Sequence, residues 1–140
     1  MNSDNMFKVC HDIVANFFAV DPDVKLFTYE LDHVGQVSIA GDIPGFAERK
    51  LITHADDLVY LSYDKKSSRL KLENEDDLKV REIFVNLWTN FAKTGNPTPS
   101  GSDFTWNEAI PESFQHLSLT TTPVMQEETF IYTNANFGHR

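Results

Sequence analysis

Apolar positions come first in the reading of this chain. Met6, Cys10, Ile13, Val14 and Phe17 recur at the three- and four-residue spacing of one helical face, behind Ser3 as an N-cap. Pro22 closes that region, and Val24 to Leu31, rich in aromatic and β-branched residues, predicts a strand. Gly35, Gly41, Pro44 and Gly45 then mark a loop-rich stretch reaching His54. Loops of that length in compact domains tend to be functional or part of something larger. A short helical turn is expected over Asp56 to Leu61, and a solvated turn at Lys65, Lys66, Ser67 and Ser68. The clearest element follows. Asn74 caps a helix whose first turn carries Glu75, Asp76 and Asp77, charges that the positive end of a helix dipole favours. Val80, Phe84, Leu87, Trp88 and Phe91 form its apolar stripe, and Gly95 and Pro97 stop it. After a turn-like stretch from Pro97 to Asp103, Trp106 sits in a short apolar island. Strands are expected at His116 to Leu119 and at Thr129 to Tyr132.

This order of helices and strands points to the α/β class. The strands are too few for a self-sufficient sheet, which makes the chain read as part of something larger. The 140 residues are one domain's worth of sequence or a piece of a larger domain. Eleven Phe, two Trp and four Tyr give it much to bury. The net charge of −9 repels phosphate backbones and anionic membranes, so nucleic-acid binding is not expected. No stretch approaches the roughly 18 apolar residues of a membrane span. Met1 to Val9 is polar and mixed, unlike a signal peptide. The chain as it stands therefore reads as soluble and cytoplasmic, while a longer parent remains open to secretion. Cys10 is the single cysteine, so an intrachain disulfide is excluded. Its place on the first apolar face predicts a buried small hydrophobe.

The missing motifs narrow the chemistry. No glycine-rich phosphate loop offers a nucleotide a handle. Asp64 to Glu75 has the length of a calcium loop, but Lys66 at its third position and Arg69 at the turn position reject it. The histidines at 11, 33, 54, 116 and 139 lack metal-ligand spacing. No cofactor is expected. A Gly-x-Ser-x-Gly nucleophile elbow does not occur, nor does a Gly-Gly pair for a backbone oxyanion hole.

One constellation is positive. Thr53-His54-Ala55-Asp56-Asp57-Leu58, followed by Val59-Tyr60-Leu61, resembles the loop that supplies the catalytic histidine in type-B carboxylesterases, with insect and juvenile hormone esterases especially similar. Ser3-Asp4 with Phe7 resembles the family's upstream helix start, and Lys25 to Leu31 its aromatic-rich strand before the histidine loop. Leu87-Trp88-Thr89-Asn90-Phe91-Ala92-Lys93-Thr94-Gly95-Asn96-Pro97 resembles the family's helix end. Trp106-Asn107 falls where the family has Trp-Pro. The matches keep the family's order over nearly the whole chain.

The resemblance implies the C-terminal portion of an α/β-hydrolase fold, with an incomplete sheet. Residues 1–140 would form a single partial domain that lacks the nucleophile-bearing part. It also implies a serine-ester mechanism on a small carboxylic ester, with His54 as general base and then general acid. In such enzymes the triad runs Ser, Asp or Glu, then His, so both earlier members are expected before Met1. Asp56 and Asp57 read as helix-start acids rather than a triad member. Asp32, Asp42 and Glu30 are the other acids to weigh against His54, and the run Glu73 to Asp77 reads as a solvated helix start. The isolated chain is expected to be inactive and marginally stable. A second reading is a free-standing, non-catalytic remnant that binds a protein partner through exposed apolar surface. A third is a complement to a separate N-terminal piece.

Overall fold

The computed structural model describes residues 9–45, 51–61, 71–111 and 113–127, apart from the Asp42 side chain. The candidate cap Ser3, the turn at residues 65–68 and the expected strand at 129–132 lie outside the described residues. The elements run α1 (Val9–Ala19), β1 (Tyr29–Leu31), a 3-10 helix (Ile39–Asp42), α2 (Asp57–Leu61), α3 (Glu75–Thr94), β2 (Gln115–Leu119) and β3 (Val124–Glu127). The strands form one sheet in the order β1-β2-β3. Leu117 N–H donates to the Thr28 carbonyl at 2.9 Å and Asp32 N–H to the Leu119 carbonyl at 3.1 Å. Both bonds advance in the same chain direction, as parallel strands require. The crossover between these parallel strands contains α2 and α3, which is the α/β arrangement expected from the element order. A tight turn joins β2 to β3. In it the Thr120 hydroxyl accepts from Thr122 N–H at 3.1 Å and donates to the Thr122 carbonyl at 2.9 Å.

The chain separates into two compact units, the first comprising Met1–Tyr29, Trp106–Leu117 and Met125–Arg140, the second Glu30–Thr105 and Ser118–Val124. In the first unit, Trp106 is buried and organises the segment before β1. Its indole N–H donates to the Thr28 carbonyl at 3.0 Å, while Phe27 and Tyr29 meet its ring edge-on at 5.9 and 6.0 Å. Ala109 N–H donates to the Leu26 carbonyl at 2.8 Å. These bonds tie down Leu26 and Thr28, yet ladder pairing begins only at Tyr29. The expected strand from Val24 is therefore shorter than its composition predicts.

Helix α1 corrects a second expectation. It buries Asp12 and Ala15, whereas Ile13, Val14, Phe17 and Phe18 are exposed. Cys10 is exposed as well. A stripe at helical spacing reports which residues share a face, not what covers that face. Asp12, between His11 and Ile13 in sequence, takes the inner position instead.

In the second unit, α2 packs against α3. Val59 and Tyr60 from α2 and Val80, Phe84 and Leu87 from α3 are buried, and the Phe84 and Trp88 rings stack at 4.4 Å. Phe91, the last residue of the predicted stripe, is exposed. The predicted caps are both present. The Asn74 side chain accepts from Asp77 N–H, and Gly95 is left-handed at φ 70°, its N–H bonded to the Phe91 carbonyl. No helix among the described residues is long and apolar enough to cross a membrane.

Candidate active site

His54 sits in the turn that leads into α2, and its side chain is exposed. The turn around it is unusually constrained. Ala55 is left-handed at φ 70°, a conformation that costs an alanine roughly 1–2 kcal/mol and has to be enforced by its surroundings. Asp56 supplies that enforcement. Its carboxylate, only 5% exposed, accepts from Thr53 N–H at 2.7 Å, from Ile39 N–H at 2.7 Å, and from the Ser38 hydroxyl at 3.0 Å to each oxygen. Asp56 N–H returns a bond to the Thr53 carbonyl at 3.1 Å. His54 and Ala55 are thus enclosed in a small ring closed by both backbone and side chain.

Ser38 has a second task in the same place. As N-cap of the 3-10 helix its hydroxyl oxygen accepts from Ala40 N–H at 3.2 Å, and it lies 3.3 Å from the Thr53 hydroxyl. The glycine-rich loop and the histidine turn are therefore joined through Asp56. The reading of Asp56 as a simple helix-start acid is corrected: its oxygens are spent on Ser38, Ile39 and Thr53. Asp57, by contrast, does open α2.

The far end of α2 is anchored by a second buried carboxylate. Asp77, expected in a solvated helix start, is 0% exposed. His33 places its Nε2 2.6 Å from Oδ1, the ring N–H donating. Gln36 N–H and the Asn74 side-chain amide donate to Oδ2 at 3.0 and 2.9 Å, and the Tyr60 hydroxyl approaches Oδ1 at 3.4 Å. Such bonds make it possible to bury a carboxylate, whose uncompensated desolvation is expensive. Burial first, and then the nearby Asp77 carboxylate, push the Tyr60 hydroxyl well above its ordinary value of 10.0. Gly35 leaves the room for this cluster. A Cβ there would collide with Tyr60 Oη and lie 2.9 Å from Asp77 Oδ1.

Among the other acids weighed against His54, Asp32 accepts a bond from the buried Ser118 hydroxyl, and the Asp42 side chain lies outside the described residues. Among the described residues no group of three or more His, Cys, Asp or Glu side chains is arranged to hold a metal ion. The sequence pattern did not single out Ser38 or Gln36, and it marked Gly35 only as a loop residue and His33 only as lacking metal-ligand spacing. The one local signal was the Asn74-x-x-Asp77 spacing, which marks a cap but not what the Asp77 carboxylate faces.

Comparison with known proteins adds the family. Juvenile hormone esterase of Tribolium castaneum is 30% identical over 105 residues, covering 71% of this chain and 17% of that protein. Esterase E4 of Myzus persicae is 27% identical over 135 residues, 93% of this chain and 23% of the relative. Glutactin of Drosophila melanogaster is 30% identical over 113 residues, 80% of this chain and 10% of the relative. The chain thus spans less than a quarter of the length of each. The Carboxylesterase family profile matches residues 1–136, so this chain belongs to the carboxylesterase family and is built as part of an α/β-hydrolase fold.

Proposed function

We propose that the chain is the histidine-bearing part of a carboxylic-ester hydrolase, and that His54 is the general base of a serine-ester mechanism. Residues 1–140 are then one part of a hydrolase domain whose nucleophile, acidic triad member and oxyanion hole lie elsewhere in a longer polypeptide. The observation that carries this reading is the exposed imidazole of His54 on a turn immobilised by Asp56, in a chain of this family. Imidazole is the side chain suited to taking and returning a proton near neutral pH. His54 accepts the proton of the serine hydroxyl as it attacks the ester carbonyl. It then returns that proton to the leaving alcohol. The substrate is a small carboxylic ester, and the isolated 140-residue chain turns it over no faster than free imidazole.

The test uses the polypeptide as its source makes it, identified by intact mass. A species several times heavier than 16.0 kDa that hydrolyses a phenyl ester, with kcat falling roughly 10³-fold or more in His54→Ala, is the expected result. Unchanged hydrolysis in His54→Ala overturns it. The exposed apolar residues of α1 favour one second reading, a non-catalytic binding protein. A native species of 16.0 kDa without esterase activity selects that reading instead.

A further inference from the structure

Three donors from three residues converge on the Asp56 carboxylate, and two of these residues, Ser38 and Ile39, lie in a different loop from His54. A helix-start acid needs none of them. The bond from Thr53 N–H fixes the residue before His54. The bond from Asp56 N–H to the Thr53 carbonyl fixes the residues on either side of His54 and Ala55. Between these points Ala55 holds a left-handed backbone that an alanine does not adopt without external support. Reversing Ala55 into an ordinary conformation would swing the His54 side chain away from its present direction, because φ of the following residue sets the orientation of the peptide between them.

We propose that Asp56, with Ser38, is a positioning residue for His54, locking the direction of the imidazole through the Thr53–Asp56 turn without touching the substrate. The proposal rests on the reading of His54 as the base. It adds the group that orients the base's backbone, distinct from the acid that would bond its ring. A catalytic group displaced by about 1 Å can lose on the order of 10²-fold in rate, so the orientation of the turn matters to turnover far more than to substrate affinity.

The test is a double-mutant cycle in the native-length polypeptide, with ester hydrolysis as one readout and amide hydrogen exchange as the other. In Asp56→Asn, kcat is expected to fall about 10²-fold with KM within about twofold, and the Thr53 and Ile39 amides to lose exchange protection. The same substitution in a His54→Ala background costs no further activity, because Asp56 acts through His54. Ser38→Ala, a milder change that keeps the carboxylate, moves kcat in the same direction by less and guards against misfolding of Asp56→Asn. An inactive His54→Ala beside fully active Asp56→Asn and Ser38→Ala overturns the positioning role alone. An additional loss from Asp56→Asn in the His54→Ala background overturns it too, since Asp56 would then act on the fold at large. A fully active His54→Ala sinks the reading of His54 itself and the positioning role with it.

Discussion

Two single positions show how closely this unit is packed around its buried carboxylates. Gly35 lies where any Cβ would press on Tyr60 Oη and Asp77 Oδ1. Gly35→Ala is expected to destabilise the chain by about 2–3 kcal/mol, as overpacking of a rigid site does, read as a lower denaturation midpoint. Ala55 shows the opposite case: its left-handed backbone carries strain that glycine would relieve. Ala55→Gly should raise stability by about 1 kcal/mol, provided the turn keeps its bonds to Asp56. Tyr60 adds a pH dependence whose sign follows from its surroundings. Because burial and Asp77 hold its hydroxyl above 10.0, the folded chain keeps a proton that the unfolded chain releases in alkali. The contribution is full below pH 10 and declines as pH rises beyond it, where the unfolded state binds fewer protons. Denaturation midpoints measured between about pH 9 and about pH 11 should fall more steeply for the wild type than for Tyr60→Phe.

Among the elements, α3 carries most of the local information. Asn74 caps it through Asp77 N–H at 2.6 Å and also donates to Asp77 Oδ2. Asn74→Ala therefore removes an N-cap and one donor to a buried carboxylate. It should cost about 2 kcal/mol, against about 1 kcal/mol for Gly95→Ala at the left-handed C-cap; equal costs in chemical denaturation would mean that the Asp77 contact adds nothing. This helix was legible in the sequence because caps and an i, i+4 stripe are local signals. Its buried face, Val80, Phe84 and Leu87, follows from that stripe. The strands were less legible. Ladder pairing of β1 starts at Tyr29 because the preceding residues are held by Trp106 and Ala109, some 80 positions away in the chain, and no local pattern reports that. Val124–Glu127 escaped notice because a four-residue hairpin strand with exposed ends has no apolar run to reveal it. The candidate site divides in the same way. His54 stood out through the residues beside it, whereas the burial of Asp56 and Asp77 depends on Ser38, Ile39, His33 and Gln36, which only folding brings near.

At the scale of the molecule, the unusual feature is α1, whose apolar side chains face outward while Asp12 faces in. Phe17 is 71% exposed, and Ile13, Val14 and Phe18 accompany it on the same helix. Each such side chain gains roughly 1.5–3 kcal/mol when buried, so a surface of this composition has a strong tendency to be covered. The carboxylesterase reading and the binding-protein reading differ in what covers it. Val14→Lys combined with Phe17→Lys separates them. In the 140-residue chain the pair should leave the thermal midpoint unchanged and reduce aggregation, because both positions are already in water. In a longer native polypeptide that packs over α1, the same pair inserts two charges into an apolar contact. It should lower stability by several kcal/mol and depress ester hydrolysis through unfolding rather than through the site. A longer polypeptide indifferent to both lysines would mean that α1 stays exposed there too, and the covering would then have to come from a separate partner.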